Sequence, residues 1–327
     1  MEPRLLRRRA KQKKGAAPIP PRAMTRLLPA SPRSIPLRIL PIMILITGAT
    51  GTVGSNLVEQ LIADGQPVRA LVRDPAKAAG AQPSEAELFR GDLLDAESLE
   101  EALQGIDAMF LLSPPSQRML DMETTAIAAA RAAGSKHLVK LSVLGADPDS
   151  EGFFAREHGK AEAEARESGV PFTFVRATFF MQNLLGLAGT IKSQGAIYQP
   201  AGDVAASYVD VRDVAAVAAK ALSSSGHEAQ TYTVTGPEAL RQAQIAELIT
   251  KVTGKPVKYV DVPRDAAKKA MTEAGLPEWQ AEAISQLMDG VRAGEYATVT
   301  GDVKRVTGKT PRTMEQFVEE NRAALVK

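Results

Sequence analysis

Cysteine is absent from this 327-residue sequence, which excludes disulfides, thiolate nucleophiles, cysteine-ligated zinc and iron–sulfur clusters. Histidine is scarce as well: His137, His158 and His227 are not spaced as metal ligands, so we expect no bound metal. No apolar run approaches the roughly 20 residues that a membrane-spanning helix needs. We therefore expect no membrane association and a cytoplasmic protein.

Acidic residues are nearly missing from the first 42 residues. This segment has eight Arg and three Lys against the single acid Glu2, which gives it a charge of +10. The whole chain carries +2, so residues 43–327 carry −8. The segment also holds eight of the 21 prolines. Because proline blocks helices and sheets and like charges repel, the composition predicts that residues 1–42 are disordered.

Three interpretations of this basic segment remain open. Its Arg-rich stretch at residues 7–14 suits binding to nucleic acid or anionic lipid. Being rich in arginine and poor in acids, the segment also resembles an organellar transit peptide. The interpretation that we favour is upstream sequence ahead of a start at Met43. Because the acidic remainder offers no second basic surface, we do not expect nucleic acid as a partner.

From Met43 onward, short apolar and β-branched runs alternate with helical patterns. Strands separated by helices of roughly 10 to 15 residues predict an α/β fold with a parallel, doubly wound (Rossmann) sheet covered on both faces. We assign residues 43–176 to this Rossmann domain. Residues 177–327 are expected to add the remaining sheet elements and a small, mostly helical substrate lobe. The predicted strands cover residues 43–47, 68–72, 87–90, 108–112, 137–141, 172–175 and 232–235.

The strongest local signal is the sequence TGATGTVG at residues 47–54, between the first strand and the first helix. Gly48 permits a tight turn, Gly51 lets a pyrophosphate approach the backbone, and Gly54 lets the helix pack closely. The unpaired N–H groups of the helix N-terminus would then bind the phosphates. The predicted cofactor-binding residues of this turn are Gly48, Ala49, Thr50, Gly51, Thr52, Val53 and Gly54.

Arg73 follows the second strand, at the position where an acidic residue binds the ribose 2′-hydroxyl of NAD. A guanidinium suits a 2′-phosphate instead, and Lys77 lies one turn further on, so we expect NADP(H) to be preferred, with NAD(H) as the alternative. Asp74 opposes this prediction if it favours the hydroxyl or pairs with Arg73. After the third strand, Asp92 and Leu93 are placed to contact adenine, although Asp92 is equally typical of a plain turn.

These motifs together resemble the short-chain dehydrogenase/reductase superfamily, and more narrowly its atypical NmrA-like branch, which includes quinone and azo-dye reductases. The resemblance covers Met43 to the C-terminus. It implies an NAD(P)H-dependent oxidoreductase that passes hydride directly to a small quinone, carbonyl or azo acceptor, without flavin or metal. The motifs that carry it are TGATGTVG (47–54), VRALVRDP (68–75), GDLLD (91–95), HLVKLSVLGAD (137–147), SGVPFTFVRATFFMQN (168–183), YVDVRDVAAVA (208–218) and YTVTGPEAL (232–240).

The catalytic residues of the superfamily are matched only in part. Ser142 occupies the position of the superfamily's Ser or Thr, but alignment of its Tyr-x-x-x-Lys pair places Phe154 at the tyrosine and His158 at the lysine. Phenylalanine cannot donate a proton, so the ordinary alcohol dehydrogenase mechanism is not expected. His158 is the candidate for protonating the product or binding the nicotinamide ribose, and Ser142 for hydrogen-bonding the acceptor.

Further candidates follow from their positions. Leu112 and Ser113 end the fourth strand, where similar proteins pass the ribose and the nicotinamide of the cofactor. Phe154, Phe180 and Asn183 are candidates for binding an aromatic acceptor, with core packing as the alternative for the two aromatic residues.

Two classes of function remain after this reasoning. The missing Tyr-x-x-x-Lys pair favours a non-catalytic sensor of NADP(H) that acts through a protein partner. The aromatic segment at residues 179–187 and the complete C-terminal lobe favour a reductase, because a sensor needs no substrate pocket. We expect the reductase, and a homodimer is compatible with the sequence.

Overall fold

The computed structural model describes residues 42–326. The predicted disorder of the basic segment, and the three interpretations of that segment, fall on residues 1–41 and lie outside this range. Within the described residues, no helix combines the length and the apolar character that crossing a bilayer requires.

The regular elements between residues 42 and 326 alternate as predicted in the first half of the chain. The strands are β1 (Ile44–Ile46), β2 (Val68–Val72), β3 (Glu87–Arg90), β4 (Ala108–Leu111), β5 (His137–Val143), β6 (Phe172–Ala177), β7 (Phe179–Phe180), β8 (Ala196–Gln199), β9 (Ala206–Val209), β10 (Gln230–Val234), β11 (Ala239–Leu240) and β12 (Lys258–Asp261). The helices are α1 (Thr52–Ala63), α2 (Pro75–Ala78), α3 (Ala96–Ala102), α4 (Met119–Ala132), α5 (Phe153–Glu167), α6 (Ala188–Gln194), α7 (Val211–Ser223), α8 (Gln242–Thr253), α9 (Arg264–Glu273), α10 (Glu278–Arg292), α11 (Asp302–Thr307), α12 (Met314–Glu320) and α13 (Arg322–Val326), with a 3-10 helix over Met181–Leu187.

A seven-stranded parallel sheet forms the centre of the fold, in the order β10-β6-β5-β4-β1-β2-β3. The chain builds outward from β1 in one direction as far as β3, and then resumes on the other side of β1 with β4. This reversal between β1 and β4 opens a crevice at the carboxyl ends of the strands, where open α/β sheets bind ligands. The predicted doubly wound fold is confirmed.

Both faces of the sheet are covered, because alternate residues of each strand point to opposite sides. Ile44 and Ile46 of β1 pack into one apolar layer with α1 and α7. Leu45 points the other way and packs into a second layer with α3 and α4. All three side chains are fully buried, which explains why the strand is a continuous apolar run.

The C-terminal half completes the sheet and adds a lobe. β10 extends the sheet beyond β6, and α7 packs against α1. The lobe has its own apolar core, which includes Met181, Ile245 and Phe317, and it contains a three-stranded sheet (β11-β9-β7) and a parallel pair (β12-β8). All five of these lobe strands are two to four residues long, too short for a readable alternation, so the sequence did not predict them. The division at residue 176 stays a prediction.

Candidate active site

The glycine turn between β1 and α1 is shaped by steric exclusion. Gly48 has a φ of +63°, which side chains rarely adopt, and a Cβ there would lie 2.9 Å from Cγ of Leu112. A Cβ on Gly54 would lie 2.1 Å from the carbonyl oxygen of Gly48, so helix α1 rests directly against the turn. Gly48 and Gly54 are therefore required by close contacts, whereas Gly51 is the N-cap residue of α1.

The exposed start of α1 faces outward from this turn. Thr50, Gly51 and Thr52 are exposed, whereas Ala49 and Val53 are buried beneath them. The N-cap Gly51 has no side chain to bond the first N–H groups of the helix, so these groups are available to an anion. These exposed N–H groups at a helix N-terminus suit a pyrophosphate.

Two hydrogen-bonded contacts hold the turn in place. The hydroxyl of Thr47 donates to the carbonyl of Leu112 at 2.9 Å and accepts from its amide at 2.8 Å, which ties the end of β1 to the end of β4. The amide of Gln82 donates to the carbonyl of Ala49 at 2.9 Å. Thr47 and Gln82 are thus supports that spacing alone did not reveal.

Three charged residues follow β2, and two of them, Asp74 and Lys77, pair with each other. Asp74 caps α2 by accepting from the amide of Lys77 at 3.3 Å, and its carboxylate lies 3.4 Å from the Lys77 ammonium. Asp74 therefore pairs with Lys77 and not with Arg73. Arg73 is exposed, and among the described residues it forms no ion pair. This arrangement leaves a free guanidinium at the strand end, with the competing carboxylate engaged elsewhere.

Asp92 lies after β3, where the sequence predicts an adenine contact. Its Oδ1 accepts from the amide of Leu94 at 2.9 Å, the geometry of a turn aspartate. The neighbouring Leu93 is buried in the second apolar layer. One carboxylate oxygen of Asp92 is therefore engaged in the turn, and contact with adenine stays a prediction for both residues.

A buried ion pair lies beneath the end of β4. The hydroxyl of Ser113 donates to Oε1 of Glu123 on α4 at 3.0 Å. The Nζ atom of Lys140, on β5, lies 3.0 Å from Oε2 of the same carboxylate, and both charged side chains are fully buried. Removing two charges from water is costly unless they are paired and hydrogen-bonded, and here each supplies the other's counter-ion. Ser113 is thereby linked to Lys140.

His158 extends this network towards α5. Its Nδ1 lies 2.9 Å from Nζ of Lys140, which also donates to the carbonyl of Leu141 at 3.0 Å. Burial and the adjacent Lys140 ammonium hold the pKa of His158 well below its usual range, so the imidazole is neutral at pH 7. The predicted candidates Ser113 and His158 are therefore brought together through Glu123 and Lys140.

Ser142 belongs to a different cluster. Its hydroxyl donates to Oε1 of Glu162 at 2.6 Å, and Ser142 is only 1 % exposed. Arg176 binds the same carboxylate at 2.9 Å and 2.6 Å, and Arg166 binds it at 3.0 Å. Burial opposes the charged form of Glu162, but the hydrogen bonds from Arg176 and Ser142 outweigh it and lower its pKa. Ser142 is therefore engaged by Glu162, and its contact with an acceptor stays a prediction.

A cavity of about 780 Å³ follows the carboxyl end of β6. Phe180 and Asn183, the candidates for binding an acceptor, line it together with Tyr208, Met271 and Met288. Among the described residues that line the cavity, none is charged. The Tyr208 hydroxyl accepts a hydrogen bond from Gln242 at 2.7 Å, which leaves its proton available to a ligand. Burial raises the pKa of Tyr208, so this hydroxyl stays protonated.

Phe154 does not share that cavity. It lines a second cavity of about 530 Å³ and packs edge-on against Phe153, whose ring also contacts Trp279 at 5.5 Å. Leu287 on α10 borders both cavities. The structure therefore separates Phe154 from Phe180 and Asn183, because α5 lies on the sheet whereas the other two residues lie in the lobe.

Helix α9 covers one side of the larger cavity with few buried contacts. None of its residues is buried, and its apolar side, including Ala267 and Met271, faces the cavity. Ion pairs join it to α10: Arg264 contacts Glu282 at 2.6 Å, and Lys268 contacts Glu282 at 2.8 Å. Elements with so few buried contacts open at low free-energy cost, so α9 is a suitable entrance.

The remaining histidines lie at the amino ends of the strands. His137 begins β5 and lies 2.8 Å from the Thr173 hydroxyl, and His227 precedes β10 and lies 2.7 Å from the Tyr232 hydroxyl. Both are at the sheet edge opposite the glycine turn. Among the described residues, no group of three acidic or histidine side chains could hold a metal ion.

The glycine turn at the reversal point of a doubly wound parallel sheet defines a dinucleotide-binding protein of the Rossmann class. The chain belongs to the NmrA-like family, whose sequence profile matches residues 42–318. It is 41 % identical over 282 residues to an NAD(P)H azoreductase of Xenophilus azovorans, covering 86 % of this chain and 99 % of the relative. It is 40 % identical over 283 residues to a (4-alkanoyl-5-oxo-2,5-dihydrofuran-3-yl)methyl phosphate reductase of Streptomyces griseus, with coverages of 86 % and 99 %.

A solved structure is also similar. The crystal structure of an NADPH-dependent quinone oxidoreductase of Escherichia coli in complex with NADPH has a TM-score of 0.79 at 30 % identity. The match covers 85 % of this chain and 99 % of that protein. The predicted family is therefore confirmed.

Proposed function

We propose that this protein is an NAD(P)H-dependent reductase that passes hydride directly to an uncharged, apolar acceptor such as a quinone. The observation that carries the proposal is the uncharged cavity of about 780 Å³ next to a sheet that carries a dinucleotide cradle. This volume is typical of sites for small organic ligands, roughly 300–1,000 Å³. The relatives that act on azo compounds and quinones support the oxidoreductase class.

The cofactor would be bound by the turn and the strand ends. The N-terminus of α1 would bind the pyrophosphate, and Arg73 a 2′-phosphate, so we propose NADPH as the preferred cofactor. Leu112 and Ser113 would lie beside the nicotinamide end. When bound, the reduced nicotinamide supplies the hydride, and the protein contributes orientation and electrostatics.

The acceptor would lie against apolar side chains of the lobe. Phe180 bridges the two regions, because it lines the cavity and also packs against the core layer that contains β1 and α1. Tyr208 would donate a hydrogen bond to a carbonyl oxygen of the acceptor. No described lysine or arginine lines the cavity, so a phosphate or sulfonate would lose its hydration without gaining a partner. We infer that this chain takes acceptors without an anionic group, unlike the relative that is named for a phosphate ester.

A regulatory role as a cofactor sensor has no comparable support. The missing tyrosine favoured it, but a quinone needs no tyrosine acid, and the cavity provides room for an acceptor. The test compares NADPH oxidation by the full chain, without added flavin, in the presence of a naphthoquinone or of its sulfonated derivative. We expect kcat/KM to be at least about ten-fold higher for the uncharged quinone, equivalent to ~1.4 kcal/mol.

Equal kcat/KM values for the two quinones would refute the inferred preference for uncharged acceptors and leave the reductase in place. NADPH binding without turnover of either quinone would refute the reductase.

A further inference from the structure

Lys140 is a buried charge whose position the fold does not require. It lies within the apolar strand β5 and is fully buried, and its only described charged partner within ion-pair distance is Glu123 on α4. Replacing a buried ion pair by apolar residues of similar volume is often neutral or stabilising, so stability alone does not account for this pair. A role in the chemistry would account for it.

The hydrogen bonds of Lys140 determine the tautomer of His158. An ammonium group has three donors and no acceptor. Nζ of Lys140 donates to the Leu141 carbonyl and contacts Nδ1 of His158, and it is ion-paired with Glu123, whose Oε2 has no hydrogen-bond partner among the described residues. Nδ1 must therefore be unprotonated, and the neutral imidazole carries its proton on Nε2. No group among residues 42–326 forms a hydrogen bond with this Nε2.

Ser113 places this network at the cofactor. Its hydroxyl is bonded to the same Glu123 carboxylate, and it follows the strand end where the nicotinamide of the bound cofactor would lie. Glu123 thus connects the Ser113 hydroxyl, at the end of β4, to Lys140 and His158. The series Ser113, Glu123, Lys140 and His158 joins four elements, which are the end of β4, α4, β5 and α5.

Resting on the proposed reductase function, we propose that Lys140 supplies, through His158, the proton that accompanies hydride transfer to a quinone. The acceptor gains a hydride and becomes an anion with charge on its second oxygen. The Nε2–H bond of His158 breaks and its proton passes through water to that oxygen, because His158 does not itself line the cavity, while a proton moves from Nζ of Lys140 to Nδ1. Lys140 is left as a neutral amine and His158 as the other neutral tautomer, and a proton from water restores both. The sum is quinone, NADPH and one proton giving hydroquinone and NADP⁺.

Lys140 is a positioning and proton-supplying residue in this scheme, and it does not touch the acceptor. A neutral imidazole that lost its Nε2 proton without receiving one at Nδ1 would become an imidazolate, which is far too basic to form here. The adjacent ammonium prevents this, because it gives a proton to Nδ1 as Nε2 loses one. Glu123 keeps the ammonium in the buried site and aims it at Nδ1.

The test exploits acceptors that differ in their need for a proton. A quinone needs a hydride and a proton, whereas a cationic triarylmethyl dye is reduced to its neutral leuco form by hydride alone. In the full chain, His158→Gln keeps an oxygen to accept from Lys140 but cannot relay a proton. We expect it to lower the ratio of kcat for a naphthoquinone to kcat for the dye about 10²-fold or more. Lys136→Met, which removes an exposed lysine four residues earlier, is the matched control.

Lys140→Met leaves a buried carboxylate and is expected to destabilise the protein, so the pair Lys140→Met with Glu123→Gln keeps the site neutral. This double variant should also lose quinone reduction selectively, together with the solvent deuterium isotope effect on quinone turnover. If these variants lose kcat equally for the quinone and for the dye, the proposal is overturned. It is also overturned if Tyr208→Phe loses the solvent isotope effect on quinone turnover and His158→Gln keeps it. If the wild-type protein reduces neither acceptor, the proposed function has failed, whatever the variants do.

A readout independent of activity is the ¹⁵N NMR spectrum of the imidazoles in the cofactor-free protein. We expect His158 to be neutral at pH 7 with a protonated Nε2, and this preference to disappear in the double variant. A protonated Nδ1 in the wild-type protein would overturn the relay.

Discussion

Gly54→Ala is the substitution whose effect on cofactor binding follows most directly from the structure. The new Cβ would lie 2.1 Å from the carbonyl oxygen of Gly48, 2.7 Å from its carbonyl carbon and 2.9 Å from Cα of Ala49. All three atoms belong to backbone, so no side chain can rotate away. Because non-bonded carbon atoms pack at about 3.5–4.0 Å, the start of α1 must move by roughly 1 Å or more.

The size of the effect follows from what this movement disturbs. Val53, Leu57 and Leu61 on α1 are buried in the core, and forcing a packed helix aside costs typically ~1–3 kcal/mol. The same movement misaligns the N–H groups that would bind the pyrophosphate, and charge-assisted hydrogen bonds of this kind contribute about 1.5–3 kcal/mol. We therefore expect the Kd for NADPH to rise roughly ten- to a hundred-fold, with a moderate loss of thermal stability.

The assay is fluorescence titration of NADPH into the purified full chain, with thermal melts in parallel. Gly51→Ala is the comparison: its Cβ would lie 3.2 Å from the Gly48 carbonyl oxygen, so thermal stability should fall less, whereas the methyl group stands where the pyrophosphate approaches the backbone and should still weaken NADPH binding. Gly189→Ala in α6 is the control, since a Cβ there meets nothing within 4 Å. A folded Gly54→Ala protein that binds NADPH with wild-type affinity would refute the assignment of this turn as the phosphate cradle.

Three further predictions concern the charged groups and the cavity. Arg73→Ala should raise the Kd for NADPH about ten-fold or more and leave that for NADH nearly unchanged, and an equal loss for both cofactors would exclude a 2′-phosphate contact. Ile284→Asp places a carboxylate in the uncharged cavity and should raise KM for a neutral quinone at least about ten-fold without changing NADPH affinity, whereas Ile284→Leu should preserve both. The lowered pKa of His158 means that the unfolded chain binds a proton there below about pH 6.5 that the folded protein does not, so the free energy of unfolding should fall as the pH drops from 7 towards 5. In denaturant titrations across that range, His158→Gln should reduce the slope of the free energy of unfolding against pH by up to about 1.4 kcal/mol per pH unit. An unchanged slope would show that His158 is not neutral in the folded protein.

The sheet could be predicted because its determinants are local. Buried parallel strands are continuous apolar runs, and the glycine turn has a spacing that few other structures need. β2 and β3 have the predicted bounds, and the six strands through residue 177 occur in the predicted order. The lobe was less predictable, because its short strands pair only after the elements around them have packed.

The predicted site residues differ in how far the structure brings them together. Residues of the glycine turn and Leu112 meet because they end adjacent strands, whereas Ser142 points beneath α5 and Phe154 lines a separate cavity. Glu123 and Lys140 were missed, although a lysine in the middle of the apolar run HLVKL was a readable signal of a buried, paired charge. Their pairing is a long-range contact between α4 and β5, which no spacing in the sequence specifies.

The measurement that tests the central claim most directly is the anaerobic oxidation of NADPH by the purified, flavin-free full chain in the presence of a neutral naphthoquinone. The account predicts that one NADPH is consumed for each quinone reduced, that NADH is used less efficiently, and that no NADPH is consumed without quinone. Tight NADPH binding with no quinone-dependent oxidation, or turnover only after flavin is added, would contradict direct hydride transfer by this protein.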